Sequence, residues 1–217
     1  MLVPAFVAMP VSAQHEHHGG TASDWSCDMA GTPAPASHEQ HMTDPGATPD
    51  AAAIDVDVLY IDMMIPHHKS IIALAQAALP NLTDPRLVTI AESIVTAQTA
   101  ENEQMSAWRD AWYGSPDPDT SEGQMALMLE AMPVGTMDEM MREMDPQWQV
   151  ASFCASADPD VAFAEQAIRH HQMAVDASEA VAGRLVHPEL EEFAAGVIEA
   201  QQAEIDELTV ILDDLGA

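Results

Sequence analysis

Apolar residues recur at alternating spacings of four and three positions in two segments after residue 53, the pattern of helices that each bury one face. The first face consists of Ile54, Val58, Ile61, Ile65, His68, Ile72, Ala75 and Leu79. The second consists of Leu87, Ala91, Ile94, Gln98, Glu101, Met105 and Trp108. Asp84 suits the N-cap of the second helix, Pro85 its first turn, and Gly114 its end. Residues 54–114 therefore predict a helical hairpin.

The same pattern returns 103 residues later without a gap, which indicates an internal duplication. The repeated faces are Val161, Ala164, Ile168, His171, Val175, Ser178 and Ala182, then Leu190, Ala194, Val197, Gln201, Glu204, Leu208 and Ile211. A hairpin with one apolar face per helix cannot bury those faces alone. We therefore predict an all-α fold in which hairpins 54–114 and 159–217 pack as a four-helix bundle.

The remaining segments have different compositions. Residues 14–53 are rich in Gly, Pro, Ser, Thr, Ala and His without apolar periodicity, which predicts a disordered or loosely held arm. Residues 1–13 are apolar or small and end in Val-Ser-Ala, which fits the remnant of a secretory signal and predicts a periplasmic or secreted protein. Residues 115–158 form a methionine-rich connection. No later stretch is long and apolar enough for membrane insertion after signal cleavage.

The net charge of the chain limits the kinds of molecule that it can bind. Six basic residues against 36 acidic ones give a formal net charge of −30, which repels nucleic acid and anionic lipid and favours cations. Solubility alone is an equally good reason for this charge. Export would allow Cys27 and Cys154 to form a disulfide, but the sequence leaves their pairing open.

Two His-His pairs, His67-His68 and His170-His171, are the main candidates for chemistry. Adjacent helical residues point about 100° apart, so we expect His68 and His171 to face inward and His67 and His170 to lie at the flank. Met63 and Met64 precede the first pair by one helical turn, and Met173 follows His170 by three residues. Thioether sulfur with imidazole favours monovalent copper, with silver as a second candidate ion.

Four polar residues occupy positions where a simple bundle would place leucine. They are Gln98, Glu101, Gln201 and Glu204, and burying any of them without a partner would cost about 2 to 7 kcal/mol. A carboxylate that accepts the N–H of His68 or His171 would orient the ring and leave its other nitrogen for a metal. The alternative is a purely structural polar layer that fixes how the hairpins pair.

Two further groups are candidates for auxiliary metal binding. His15, His17 and His18 form a histidine-rich tract in the arm, of a type that binds metals without a rigid site. Met137, Met140, Met141 and Met144 recur at helical spacing and predict a methionine face on a short helix. Flexible methionines also fill irregular cores, which is the competing interpretation.

The motif Met63-Met64-Ile65-Pro66-His67-His68, with Ala97-Gln98-Thr99-Ala100-Glu101, resembles the domain-of-unknown-function 305 family, DUF305. Residues 168–171 and 200–204 resemble a second copy. The resemblance implies a ferritin-like fold, export, copper binding, and Met105 as a further ligand. The chain departs from the family pattern at Leu74 and Ala177, where members commonly have methionine. In the second copy, the position equivalent to Met105 is Leu208.

These observations favour a non-enzymatic protein that captures monovalent copper, and silver as well, in metal homeostasis or resistance. Its expected partners are metal ions and, if it transfers them, another periplasmic copper protein. A metal-free envelope interaction module is the first alternative. A ferritin-like di-iron enzyme is the second and less favoured one, because such sites use Glu-x-x-His and that motif does not occur in the sequence.

Overall fold

The computed structural model describes residues 25–27 and 55–217, and in this part of the chain it contains seven α-helices and no strand. The helices are α1 (Val56–Ala78), α2 (Pro85–Tyr113), α3 (Glu122–Ala131), α4 (Met137–Glu143), α5 (Pro146–Cys154), α6 (Pro159–Val181) and α7 (Pro188–Leu215). The predicted all-α class is confirmed. None of the described helices combines the length and apolarity needed to cross a membrane.

Local sequence signals set the helix boundaries. Asp84 caps α2 by accepting the backbone N–H of Arg86, and Pro85 is the first helical residue, as predicted. Gly114 ends α2 in the left-handed conformation with φ of 77°, where a side chain would be strained. Asp158 caps α6 by accepting the backbone N–H of Val161.

Four long helices form the body of the fold. Helix α1 packs against α2, α6 packs against α7, and α1 also packs against α6, which is compatible with two hairpins in a four-helix bundle. The predicted faces of α2 and α7 are confirmed. Every member of both faces is buried except Trp108, Glu101 and Glu204, which are partly exposed.

Helix α1 is buried far more widely than its sequence pattern indicates. Met63, Met64, Ile71 and Leu74 lie outside the predicted face and are fully buried. The expectation of a single buried face on α1 is therefore wrong. The physical reason is that α3 and α5, which belong to the connection between the hairpins, also pack against α1 and cover surface that a simple bundle would leave to solvent. The same expectation is also wrong for α6, where Phe163, Ala167 and Ala174 are fully buried outside the predicted face and Ala182 is exposed.

Two equivalent aspartates tie each hairpin to the loop of the other. Asp57, in the first turn of α1, accepts the backbone N–H groups of Val186 and His187 before α7. Asp160, 103 residues later in the first turn of α6, accepts the backbone N–H groups of Thr83 and Asp84 before α2. Both carboxylates are buried. The exchange is reciprocal, so it fixes the relative positions of the two hairpins.

The segment Trp25–Cys27 is held against the helices. Cys27 forms a disulfide with Cys154 at the end of α5, which settles the pairing that the sequence left open. Trp25 packs against Ala73, Ala77 and Val150. This part of the predicted loose arm is therefore fixed to the helical body. The predicted signal segment 1–13 and the rest of the arm lie outside the described residues.

Candidate metal centre

The four histidines of the two repeated pairs are brought together where α1 packs against α6. His67, His68, His170 and His171 are all fully buried, with 0% of each residue exposed. The rings of His67 and His170 face each other with centroids 3.6 Å apart and an interplanar angle of 32°. The expectation that His67 and His170 lie at the flank is wrong, because the contact between α1 and α6 places them inside.

Two glutamates lie beside His68 and His171, and each comes from the second helix of the same hairpin, α2 or α7. His68 Nε2 lies 2.8 Å from Glu101 Oε2, in hydrogen-bond geometry. His171 Nε2 lies 2.9 Å from Glu204 Oε2, but the angle does not make a hydrogen bond. The sequence predicted both pairings. The hydrogen bond to Glu101 favours a proton on Nε2 of His68, which leaves Nδ1 of His68 with the lone pair. In His171 neither ring nitrogen has a hydrogen-bond partner.

Ser70 determines the proton position on His170. Its hydroxyl donates to the backbone carbonyls of His67 and Glu143, which can only accept, and its oxygen lies 2.8 Å from His170 Nε2. One hydroxyl has one proton, so His170 Nε2 must donate to Ser70 Oγ. Nδ1 of His170 therefore also has a free lone pair. Sequence analysis missed Ser70, although its position three residues after His67 could have suggested this role.

Several buried polar atoms in this region have no hydrogen-bond partner. They are both ring nitrogens of His67 and of His171, Nδ1 of His68 and of His170, and the side-chain oxygens of Gln98, Asn102 and Gln201. A buried polar atom without a partner costs about 1 to 3 kcal/mol, so such atoms are rare in one place. A metal ion accepts nitrogen lone pairs and would remove much of this cost. The unpartnered ring nitrogens therefore fit a metal ion.

Burial controls the charge of the facing pair. Removal from water lowers the pKa of His67 and of His170 well below 6.5, and the neighbouring histidines lower both values further. Both rings are therefore neutral near pH 7. A neutral imidazole can donate a lone pair to a metal, whereas an imidazolium cannot.

The predicted methionine ligands are buried, as the four histidines are. Met63, Met64 and Met105 are fully buried in one apolar cluster, and Met173 on α6 is 7% exposed. Within residues 55–217, no three side chains among His, Cys, Asp and Glu come together in an arrangement that could hold a metal. Thioether sulfur beside imidazole nitrogen would make a ligand set of the kind that soft ions prefer.

The auxiliary methionines do not share one face. Met140 is fully buried and Met144 nearly so, Met137 is partly buried, and Met141 is 48% exposed. Met141 and Met144 line a surface cleft together with Met125 of α3, whereas Met137 and Met140 do not. The arm histidines His15, His17 and His18 lie outside the described residues.

Comparisons with known proteins agree on one family. The model of the domain of unknown function DUF305 matches residues 57–212. Structures of a protein named CopM in Cu(I)-bound, Cu(II)-bound and silver-bound forms match with TM-scores of 0.58, 0.57 and 0.57, at 25%, 26% and 25% identity. These matches cover 73–74% of this chain and 96–98% of CopM.

A second relative supports the fold alone. A DUF305 protein from Streptomyces coelicolor, described as a candidate secreted protein, matches with a TM-score of 0.59 and 21% identity over 75% of this chain and 95% of its own. A comparison with curated proteins finds no match. The family model spans most of the chain, including both histidine pairs, and the chain therefore belongs to the DUF305 family.

Proposed function

We propose that this protein binds monovalent copper, and silver in the same way, through imidazole and thioether groups where α1 meets α6. The observation that carries the proposal is the group of buried ring nitrogens without hydrogen-bond partners on His67, His68, His170 and His171. An apolar core built for packing alone would not gain from four buried histidines in contact. A soft cation that accepts their lone pairs would stabilise the arrangement.

The inward histidines are the ligands that the surroundings orient best. Glu101 and Glu204 lie at Nε2 of His68 and His171 and would hold each ring with Nδ1 free, as partners beyond the ligand shell do in metal proteins. Gln98 and Gln201, one helical turn before each glutamate, are buried beside this region with unpartnered oxygens. We propose that these four residues position the ligands and do not bind the ion themselves.

The register of the duplication suggests a thioether for His67. Ser70 and Met173 occupy equivalent positions, 103 residues apart, and Ser70 contacts His170. By the same relationship Met173 would lie toward His67, whose two ring nitrogens have no partner. Serine has a hydroxyl that pairs with His170, whereas the methionine at the equivalent position has no such group to offer His67. Met63, Met64 and Met105 are the further proposed sulfur ligands.

The biological role follows from this chemistry together with the relatives. CopM has been observed with Cu(I), Cu(II) and silver, and we extend copper and silver binding to this chain as part of the proposal. We propose that the protein acts in the periplasm or outside the cell and captures copper to limit its toxicity or to pass it to another copper protein. Binding and release require no catalysis.

Competition with a chromophoric Cu(I) chelator under anaerobic conditions tests the proposal. The native protein should remove Cu(I) from the chelator, and the variant His67→Ala/His170→Ala should lose at least about 90% of this capture, equivalent to about 1.4 kcal/mol or more. His187→Ala is the matched control, because His187 lies outside the cluster and stacks on Trp112. Circular dichroism establishes that each variant is folded. Equal capture by all three proteins, or none by the native protein, would contradict copper binding at this centre and favour a metal-free interaction module.

A further inference from the structure

A cleft opens on the surface between α1, α3 and α4. Its volume is about 660 Å³, and Pro66 of α1, Met125 of α3 and Met141 of α4 contribute to its walls, with Met144 just after α4. The cleft is distinct from the histidine cluster, because none of the four histidines lines it. Three of its lining side chains are thioethers that come from two separate segments of the connection between the hairpins.

Two of the three cleft methionines are more exposed than ordinary core methionines, whereas Met144 is 8% exposed and belongs to the apolar core. Met128, Met132 and Met140 belong to the same connection and are fully buried, as expected of side chains that fill a core. Met141, in contrast, is 48% exposed, and Met125 is partly exposed. Met125 also packs against the apolar core, whereas Met141 belongs to no core cluster of the described residues. Both side chains line the cleft that an ion would enter.

The charges around the cleft favour a cation. Asp138 and Asp145 line it beside the methionines. Arg142 is the one basic residue of its lining, and its guanidinium lies over the Trp148 ring, 5.8 Å from the ring centroid. This cation–π contact holds the guanidinium in place without removing its charge, so the lining carries two carboxylates against one guanidinium. The formal net charge of −30 further raises the local concentration of cations at the surface.

The cleft adjoins the histidine cluster through one layer of residues. Pro66 of its wall directly precedes His67 in α1. On the other side, the carbonyl of Glu143, which directly precedes Met144, accepts the hydroxyl of Ser70, and Ser70 contacts His170. An ion held in the cleft would therefore lie next to the wall of the proposed core site.

We propose that this cleft is a second binding site for a soft monovalent cation, Cu(I) or Ag(I), with Met125, Met141 and Met144 as its ligands. Three neutral thioethers prefer such ions to zinc, magnesium or calcium. Asp138 and Asp145 balance the charge of the ion without binding it. The site rests on its own residues, and it stands or falls independently of the histidine centre.

Silver titration of the full chain, followed by nuclear magnetic resonance of methyl-¹³C methionine, tests the site. Silver is used because it is not oxidised under these conditions. The methyl signals of Met125, Met141 and Met144 should shift as Ag(I) is added, and the variant Met125→Leu/Met141→Leu/Met144→Leu should bind one Ag(I) fewer by native mass spectrometry. Leucine preserves volume and removes only the sulfur. Met137→Leu is the matched control on the same helix and should bind as many ions as the native protein.

Two further variants separate the outcomes. In His67→Ala/His170→Ala the three methyl signals should still shift, because the cleft does not use the histidines. Met141→Leu changes a half-exposed side chain, so it tests the site without risk to the fold and should lower the silver affinity of the cleft at least fivefold. Unmoved methyl signals in the native protein, or an unchanged number of ions in the triple leucine variant, would overturn the cleft site while leaving the histidine centre untouched.

Discussion

His67 and His170 occupy equivalent positions in the two halves of the chain, and their rings meet face to face with centroids 3.6 Å apart. Two imidazolium ions could not occupy this arrangement without strong repulsion, and burial removes the water that would screen it. The contact therefore requires neutral rings. It also places two potential nitrogen ligands from different hairpins in the same small volume of the core.

The facing histidines should make stability depend on pH. Burial lowers the pKa of His67 and of His170 below 6.5 in the native protein. When the pH falls below 6.5, these two histidines therefore bind protons in the unfolded chain but not in the native protein. The free energy of unfolding should therefore decrease as pH falls from about 6.5, by up to about 1.4 kcal/mol per pH unit for each histidine.

Urea unfolding at pH values of about 7.5 and 5.5 measures this dependence. The native protein should lose more stability between the two values than His67→Gln/His170→Gln does. Titration of the many carboxylates is common to both proteins, so the difference between them isolates the two histidines. The same loss in both proteins would show that the rings are protonated in the folded state.

Glu101 should control metal affinity from outside the ligand set. Glu101→Gln removes the negative charge that holds Nε2–H of His68 and should weaken Cu(I) binding about 10- to 100-fold, the usual effect of losing such a partner. Glu103→Gln is the matched control, since Glu103 is exposed on the same helix and makes no contact with the histidines. Chelator competition with both variants measures the effect. Equal affinities would indicate that His68 does not bind the ion.

The reciprocal aspartates should be among the most important residues for stability. Asp57→Ala leaves the backbone N–H groups of Val186 and His187 without their buried acceptor and should lower the free energy of unfolding by about 2 to 4 kcal/mol. Asp160→Ala should cost a similar amount for the same reason. Urea unfolding measures both, with the exposed Asp138 changed to Ala as a control. A loss below about 0.5 kcal/mol would contradict this assignment.

The disulfide should stabilise the folded protein. The bond between Cys27 and Cys154 closes a long loop and restricts the unfolded chain, so its reduction should lower the free energy of unfolding by about 2 to 4 kcal/mol. Thermal unfolding with and without a reductant measures this effect. The variant Cys27→Ser/Cys154→Ser should show the lower stability under both conditions. If the reductant leaves the unfolding temperature of the native protein unchanged, the disulfide does not make the expected contribution to stability.

Hydrophobic periodicity predicted the buried faces of α2 and α7 and failed for α1 and α6. Leu87 to Trp108 in α2 and Leu190 to Ile211 in α7 alternate at helical spacing because their other faces contact solvent. Helix α1 is covered on further sides by α3 and α5, so Met63 and Leu74 are buried at positions that the pattern leaves outside its face. A pattern within one helix carries no information about which later segment will cover it.

In the candidate site, too, some features follow from the pattern within a helix and others depend on how the helices pack. The pairings of His68 with Glu101 and His171 with Glu204 followed from the helical register and the repeat. The burial of His67 and His170 did not, because it depends on how α1 crosses α6. The reciprocal role of Asp57 and Asp160 was also missed, although two aspartates one repeat apart were a usable signal. Acidic residues are common in the first turn of helices, so their presence there does not by itself indicate a contact with another hairpin.

The most direct test of the copper centre is a crystal structure of the protein loaded with Ag(I), with anomalous scattering used to locate the ion. The proposal predicts an anomalous peak within bonding distance of a ring nitrogen of the four core histidines and of at least one sulfur of Met63, Met64, Met105 or Met173. Silver peaks confined to the surface, with the histidine cluster unchanged and without an ion, would contradict it.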